Sequence, residues 1–139
     1  MALYQVQNQW GGEDAPWHEG GRWALGSRDG EQYVVGLHLT SFDNGYSLEG
    51  TVLYSGEEYP IAVVATSVEN DHGEMLYDIQ TQTENEDWQQ AGSWTIGARP
   101  GQSVMHLDIS SDDDGKSLGG TMTYMNEGPI GFYAEMAYD

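Results

Sequence analysis

The chain has 139 residues, and its 23 acidic and 4 basic side chains give a formal net charge of −19. A surface of this charge repels phosphate, so nucleic acid is not an expected partner. The absence of cysteine excludes disulfides, thiolate catalysis and cysteine-ligated zinc. No run approaches the roughly 20 apolar residues of a membrane span, so membrane insertion is not expected. A chain of this length leaves little room for a second domain, so we expect one domain over 1–139.

Short stretches of alternating apolar and polar residues follow one another along the chain and predict β-strands. They are Tyr33–Leu39, Thr51–Tyr54 and Ile61–Ala65, then Ser103–Ile109, Thr121–Tyr124 and Ile130–Met136. Hairpin turns are predicted at Asp43-Asn44-Gly45 and at Asp113-Asp114-Gly115, because glycine adopts positive φ easily. We expect an all-β fold, a compact antiparallel barrel of about ten strands, since closure removes exposed strand edges.

The chain contains two copies of one unit. The segment SFDNGYSLEGTVLY at 41–54 matches SDDDGKSLGGTMTY at 111–124, and the tryptophans at 17 and 23 match those at 88 and 94. Repeat 1 is predicted at about 3–66, a linker at 67–75 and repeat 2 at about 76–136. Each copy has few residues with which to bury a core of its own. We therefore expect the two tandem repeats to form one body with approximate twofold pseudo-symmetry.

Several motifs resemble catalytic or metal-binding sequences but are better explained as structural elements. Gly115–Gly119 fits the GxSxG pattern of a serine nucleophile, but that motif needs a helix after the serine and a strand is predicted there. The acidic run at 112–114 lacks the remaining ligands of a calcium loop. His38 and His106 lie in predicted strands and are interpreted as packed or hydrogen-bonded residues. We therefore predict no catalytic residue, no metal and no cofactor.

The segment at residues 8–28 holds two glycine pairs and three tryptophans. A tryptophan beside a glycine pair suits a sugar, because the indole packs on the C–H face and amides without a nearby Cβ can approach hydroxyls. Trp17 and Trp23 recur in the second copy, so we interpret both as core residues. Trp10 is replaced by Thr83 in the second copy, which favours a surface binding role for Trp10.

The motifs NQWGG at 8–12, APW at 15–17 and GSR at 26–28, with DDGKSLGGTMTY at 113–124 and EGPIGF at 127–132, resemble the Oscillatoria agardhii agglutinin family of high-mannose-binding lectins. The resemblance covers nearly the whole chain and both copies. It implies a ten-stranded barrel of two repeats that recognises the branched mannose core of high-mannose N-glycans without metal. It also implies glycoprotein partners, for example on viral envelopes or cell surfaces, and agglutinating and antiviral activity.

In that family each site joins the Trp-Gly-Gly loop of one copy to an arginine and a Glu-Gly loop of the other. Carried over, the resemblance implies one complete set, which is Trp10, Gly11, Gly12, Arg99, Glu127 and Gly128. The second set is degraded, and we call it the altered set. It consists of Arg28, Glu57, Glu58, Thr83, Glu84 and Asn85. The tryptophan and all three glycines are replaced in the second set. We therefore predict one competent site, and weaker cross-linking than two sites would give.

The resemblance also assigns roles to the complete set. Trp10 would stack on a mannose ring, the glycine amides would donate to hydroxyls, and Arg99 would act as a fixed fork of donors. The alternative for Arg99 is a structural ion pair, and Glu127 either accepts hydroxyl protons or only shapes its loop.

Three other functions stay open from the residues. They are a glycoside hydrolase acting on mannosides, a barrel that carries a small apolar ligand, and a structural barrel whose sites have both decayed. The N-terminal segment MALYQVQNQW lacks the features of a secretory signal, so cytoplasmic synthesis is expected, with action outside the cell after release left open. We expect a monomer.

Overall fold

The structure, a computed structural model, describes residues 2–26, 32–68, 75–99 and 101–138. These residues form ten β-strands and no helix. The strands are β1 (Ala2–Gln9), β2 (Trp17–Leu25), β3 (Val34–Thr40), β4 (Ser47–Tyr54), β5 (Ile61–Ser67), β6 (Leu76–Gln82), β7 (Gln89–Thr95), β8 (Val104–Ser110), β9 (Ser117–Tyr124) and β10 (Ile130–Tyr138). Nowhere in the described part of the chain is there a helix long and apolar enough to cross a membrane.

The ten strands close into an antiparallel barrel in the order β1-β10-β9-β8-β3-β4-β5-β6-β7-β2. Strands of the two repeats are interleaved, since β1 pairs with β10 and β5 pairs with β6. Exchanging each strand for its counterpart in the other repeat, β1 for β6 and so on, leaves every pair of neighbours in place and reads the circular order in the opposite direction. The all-β barrel predicted from alternation and tight turns is therefore confirmed.

Side chains from both repeats fill the inside of the barrel as one buried cluster. The counterparts Trp23 and Trp94 are both completely buried, and Trp23 packs on Phe132 with ring centroids 5.0 Å apart. The prediction that Trp23 is a core residue is confirmed. These large rings occupy the interior of the ten-stranded barrel. This argues against the alternative of a barrel that carries a small apolar ligand inside.

The prediction that Trp17 belongs to the core is wrong. Trp17 and its counterpart Trp88 are each 43% exposed. The reason is a β-bulge in β2, where three steps from Glu19 to Arg22 oppose only two steps in β1. The bulge contains Gly21 at φ +89° and inverts the inside–outside alternation of the strand. Trp17 and Trp23 therefore face opposite sides although they are an even number of residues apart.

The two predicted hairpin turns are built by the same hydrogen bonds. In the first turn, the Gly45 amide donates to Ser41 Oγ at 2.7 Å, and the Ser47 amide donates to Asp43 Oδ1 at 2.8 Å. Gly45 has φ +88°, as the turn requires. The second turn repeats these bonds 70 residues later, so these serines and aspartates recur for a structural reason.

The strands β4 and β9 begin at Ser47 and Ser117, four residues before their predicted starts. Glycines obscured this extension, because glycine weakens the strand pattern. The structure gives Gly50 a steric reason, since a Cβ there would overlap the His38 carbonyl oxygen. Because β9 begins at Ser117, a strand and not a helix follows the serine of the GxSxG segment, so the context of a serine nucleophile is absent there.

The strand histidines are hydrogen-bonded, as predicted. His38 Nδ1 lies 2.6 Å from Asp108 Oδ1, and His106 Nδ1 lies 3.0 Å from Thr40 Oγ1. Most of the predicted linker, residues 69–74, lies outside the described residues. At its start, Ser67 still belongs to β5.

Candidate functional site

Trp10 follows the last residue of β1 and opens the loop that leads to β2. Its side chain is 45% exposed, so it is not a core residue. The indole is stacked on the His18 ring, with centroids 4.0 Å apart and an interplanar angle of 10°. This stacking fixes the plane of an aromatic surface at the end of the barrel.

The two glycines after Trp10 adopt a backbone that other residues rarely take, with φ +94° at Gly11 and +104° at Gly12. The side chain of Gln9 holds the loop in place, because its Nε2 donates to the carbonyls of Glu13 at 2.9 Å and Ala15 at 2.8 Å. A Cβ at Gly12 would meet nothing within 4 Å, so that part of the loop is open to an approaching molecule.

Arg99 and Glu127 form an ion pair beside this loop, with Arg99 Nη1 2.7 Å from Glu127 Oε2. Gln102 Nε2 donates to the same oxygen at 2.7 Å. The hydrogen bond from Gln102, followed by that from Arg99, lowers the pKa of Glu127 below its ordinary value. The guanidinium carbon of Arg99 also lies 4.3 Å from the centroid of the Tyr124 ring. The ion pair considered as an alternative for Arg99 thus exists, and its partner is another predicted site residue.

The structure brings the predicted complete set together across the two repeats. The guanidinium carbon of Arg99 lies 5.9 Å from the centroid of the Trp10 indole. Gly11 and Gly12 follow Trp10 in the chain. Gly128 follows Glu127, and a Cβ at Gly128 would meet nothing within 4 Å. One cluster therefore combines the Trp-Gly-Gly loop of repeat 1 with the arginine and the Glu-Gly loop of repeat 2.

The altered set is also brought together across the repeats. Thr83 of repeat 2 lines a pocket of about 200 Å³ with Glu57 and Tyr59 of repeat 1. Gln32 Nε2 donates to Glu57 Oε1 at 3.2 Å, as Gln102 does to Glu127 in the complete set. The framework of this set is therefore kept although its loops have changed.

The loops of the altered set differ from those of the complete set in length and in side chain, because the loop before Trp88 is two residues shorter than the loop before Trp17. Asn85, at the position of Gly12, keeps a positive φ of 66°. Glu84 and Glu58 add carboxylates where Gly11 and Gly128 have no side chain. The last member of the predicted set, Arg28, lies outside the described residues.

Sequence reasoning missed three residues that contact the complete set, namely His18, Gln102 and Tyr124. Gln102 and Tyr124 recur as Gln32 and Tyr54, so their recurrence was a usable signal. His18 gave no such signal, because its stacking on Trp10 depends on how the loop folds back onto β2. Among the described residues, no three His, Asp or Glu side chains are grouped so that they could hold a metal ion.

A model of the OAA-family lectin sugar-binding domain matches the chain at residues 2–62 and 75–137. The chain therefore belongs to the OAA lectin family. It is 46% identical over 133 residues to lectin OAA of Planktothrix agardhii, which covers 94% of this chain and 96% of that protein. It is also 46% identical over 135 residues to the myxobacterial hemagglutinin of Myxococcus xanthus, which covers 96% of this chain and 48% of that protein.

Two solved structures extend the similarity to the fold. The agglutinin of Pseudomonas fluorescens matches with a TM-score of 0.86 and 45% identity over 96% of this chain and 98% of its own. The Myxococcus xanthus hemagglutinin in complex with α3,α6-mannopentaose matches with a TM-score of 0.89 and 45% identity over 98% of this chain and 50% of its own. The chain thus spans nearly all of the former protein and half of the latter.

Proposed function

We propose that this chain is a non-catalytic lectin that binds the branched mannose core of high-mannose N-glycans at the Trp10 cluster. The observation that carries the proposal is the position of the exposed Trp10 indole 5.9 Å from Arg99, which comes from the other repeat. A relative with 45% identity over 98% of this chain has been solved with a branched mannopentaose, which supports this choice of sugar.

Each residue of the cluster has a role that follows from its contacts. The Trp10 indole stacks on the apolar face of a mannose ring, and the amides of Gly11, Gly12 and Gly128 donate to hydroxyls. Arg99 is already fixed by Glu127 and Tyr124, so little side-chain entropy is lost when its remaining N–H groups bind a sugar.

Glu127 has a role as an acceptor. Both of its donors within the described part of the chain reach Oε2, which leaves Oε1 for a ligand hydroxyl. The lowered pKa keeps this carboxylate ionised at neutral pH. A glycosidase would need a second carboxyl group beside an ionised one, with a raised pKa, to protonate the leaving group. Glu127 is the one carboxylate of the complete set, which favours binding over hydrolysis at the cluster.

The proposal includes only one competent site. In the altered set, Thr83 offers no ring for stacking, and the side chains of Glu84, Asn85 and Glu58 stand where the complete set leaves amides open. A monomer with one site gains no avidity on a surface with many glycans, so its agglutinating and antiviral effects should be weak. The natural ligands would be glycoproteins with high-mannose glycans, for example on viral envelopes or cell surfaces.

Calorimetric titration with the branched mannopentaose tests the proposal, with free mannose as the control. We expect binding of the branched glycan with a stoichiometry near one. A stoichiometry near two would retain the lectin and reject the single site. No heat at millimolar glycan would favour a structural barrel with decayed sites. Release of shorter sugars during the titration, detected by mass spectrometry, would favour the glycoside hydrolase.

A further inference from the structure

A groove of about 320 Å³ lies on the outside of the barrel and crosses β2, β1 and β10. It is lined by Gln5, Val6, Gln7, Glu19, Tyr133 and Glu135. We call it the outer-face groove. Its volume falls in the range of pockets that hold small ligands, about 300–1,000 Å³. The function proposed above uses none of these residues.

The exposed Tyr133 ring lines the outer-face groove, and the exposed Trp17 ring packs against it. Trp17 and Tyr133 meet edge to face, with ring centroids 6.5 Å apart and an interplanar angle of 71°. Trp17 can lean across β1 towards Tyr133 because Gly131 has no side chain, and a Cβ there would lie 3.3 Å from the Trp17 ring. The Tyr133 hydroxyl donates to Glu135 Oε1 at 3.0 Å, which fixes the tyrosine ring against the groove.

The chemistry of the groove matches a neutral, hydroxyl-rich ligand. The Tyr133 ring supplies a flat apolar surface, and the two glutamates and two glutamines of the groove supply acceptors and donors around it. A phosphate would be repelled by the carboxylates, and a hydrocarbon would desolvate them without compensation. A hexose matches both the aromatic surface and the polar side chains of the groove, because it has an apolar C–H face and a rim of hydroxyls.

The groove lies on strands that lead to the Trp10 cluster. Gln9, the residue before Trp10, pairs with Trp17 on one side and with Gly131 on the other. This one row of paired residues therefore separates the groove from the Trp10 loop, and Gly131 is three residues after Gly128. Gln7, at the near end of the groove, is two residues from Gln9 along β1, or about 7 Å at 3.3 Å per residue.

The opposite face of the barrel provides an internal comparison. Gly131, Tyr133 and Glu135 of β10 correspond there to Ala62, Val64 and Thr66 of β5. The register confirms this correspondence, since Tyr133 pairs with Gln7 and Val64 pairs with its counterpart Gln80. The aromatic ring and the carboxylate are thus present beside the complete set and replaced beside the altered set. This association indicates that the groove serves the same ligand as the Trp10 cluster.

We infer that the outer-face groove is an extension subsite, which holds hexose units of an oligosaccharide arm that leaves the Trp10 cluster. The inference rests on the proposed function and adds a preference for longer mannose arms. The hexose packs against Tyr133, which Trp17 supports from beside it, while Glu19 and Glu135 accept hydrogen bonds from its hydroxyls. A glycan limited to the branched core would not reach this groove.

The test compares two probes by calorimetry, the branched mannopentaose and a free glycan with nine mannose units. We expect the longer glycan to bind about fivefold more tightly or better. The double substitution Tyr133→Val with Glu135→Thr, which copies the opposite face, should abolish this preference and leave the affinity for mannopentaose unchanged. Tyr133→Phe should retain most of the preference, because the ring remains. Thr66→Ala, on the opposite face, is the matched control and should change neither affinity.

An NMR measurement on the unaltered protein keeps the inference testable if the double variant does not fold. The indole N–H resonance of Trp17 should shift with the nine-mannose glycan and not with mannopentaose. Equal affinities for the two glycans, a preference that survives the double substitution, or a Trp17 resonance that responds alike to both would overturn the extension subsite. Those results leave the proposed function intact as long as mannopentaose binds, whereas failure of mannopentaose to bind would remove the proposed function itself.

Discussion

The complete and the altered sets occupy equivalent positions in the barrel but have retained different residues. Both hold a glutamine that donates to a glutamate, with Gln102 beside Glu127 and Gln32 beside Glu57. Only the complete set holds a tryptophan, which is Trp10. The arginine, the glutamine and the glutamate thus occur in both sets, while the tryptophan and the glycines of the loops occur only in the complete set. The comparison separates framework from candidate binding surface within a single chain.

The largest effect should come from rebuilding the altered set. The changes are Thr83→Trp, Glu84→Gly, Asn85→Gly and Glu58→Gly, with deletion of the extra Tyr59. Insertion of Ala-Pro between Asp87 and Trp88 supplies the two residues by which the altered loop is shorter. We expect the stoichiometry of mannopentaose to rise from one to two. Cross-linking of a multivalent glycoprotein should then improve by roughly 10²–10⁴, because two sites on one body gain avidity. Calorimetry and an agglutination titre would measure the two changes.

Thr83→Trp alone is the control for this rebuilding and should leave the stoichiometry at one. Three side chains would still block the amides, and the new indole would face Gln89 where Trp10 has His18. A second site created by the single substitution would show that the other replacements are neutral. It would also show that the two sets differ by the tryptophan alone.

The next largest effect concerns the exposed tryptophan. Trp10→Ala should weaken mannopentaose binding by about 2 kcal/mol or more, roughly thirtyfold, as expected for a central aromatic anchor. The matched substitution Thr83→Ala should not change binding. Calorimetry of both variants, with circular dichroism to confirm the fold, checks the pair. Unchanged affinity in Trp10→Ala would place the sugar elsewhere on the barrel.

Much of this architecture could be predicted from the sequence, because the evidence lay in local patterns. The alternation of strands and the turn glycines depend on neighbouring residues, and the recurrence of Trp23 at Trp94 identified a buried pair. Trp17 was misplaced because a bulge at Gly21 reverses the direction of side chains, and a single extra residue in a strand is not visible in its pattern. The stacking of His18 on Trp10 depends on loop geometry and was equally hidden.

The smallest expected effect is on thermal stability. It should be equal in the two repeats, because each repeat contains the same hairpin turn. Hydrogen bonds from the Ser117 hydroxyl, the Ser117 amide and the Ser111 hydroxyl lower the pKa of Asp113 to about 2. The pKa of Asp43 is lowered by the equivalent bonds. A carboxylate with a lowered pKa stabilises the fold above its ordinary pKa near 4, and this contribution is lost as the pH falls towards the folded value.

Asp43→Asn and Asp113→Asn should therefore each lower the thermal midpoint at pH 7 and match the parent near pH 2. Thermal denaturation of both variants and the parent between pH 2 and pH 7 measures this convergence. A difference that persists at pH 2 would assign the effect to the shape of the turn rather than to its charge. A clear effect in one repeat and none in the other would show that the two turns differ in energy although they share the same hydrogen bonds. The turns would then have diverged, as the loops have. Equal effects would confine the divergence of the two halves to the loops and the outer faces beside them.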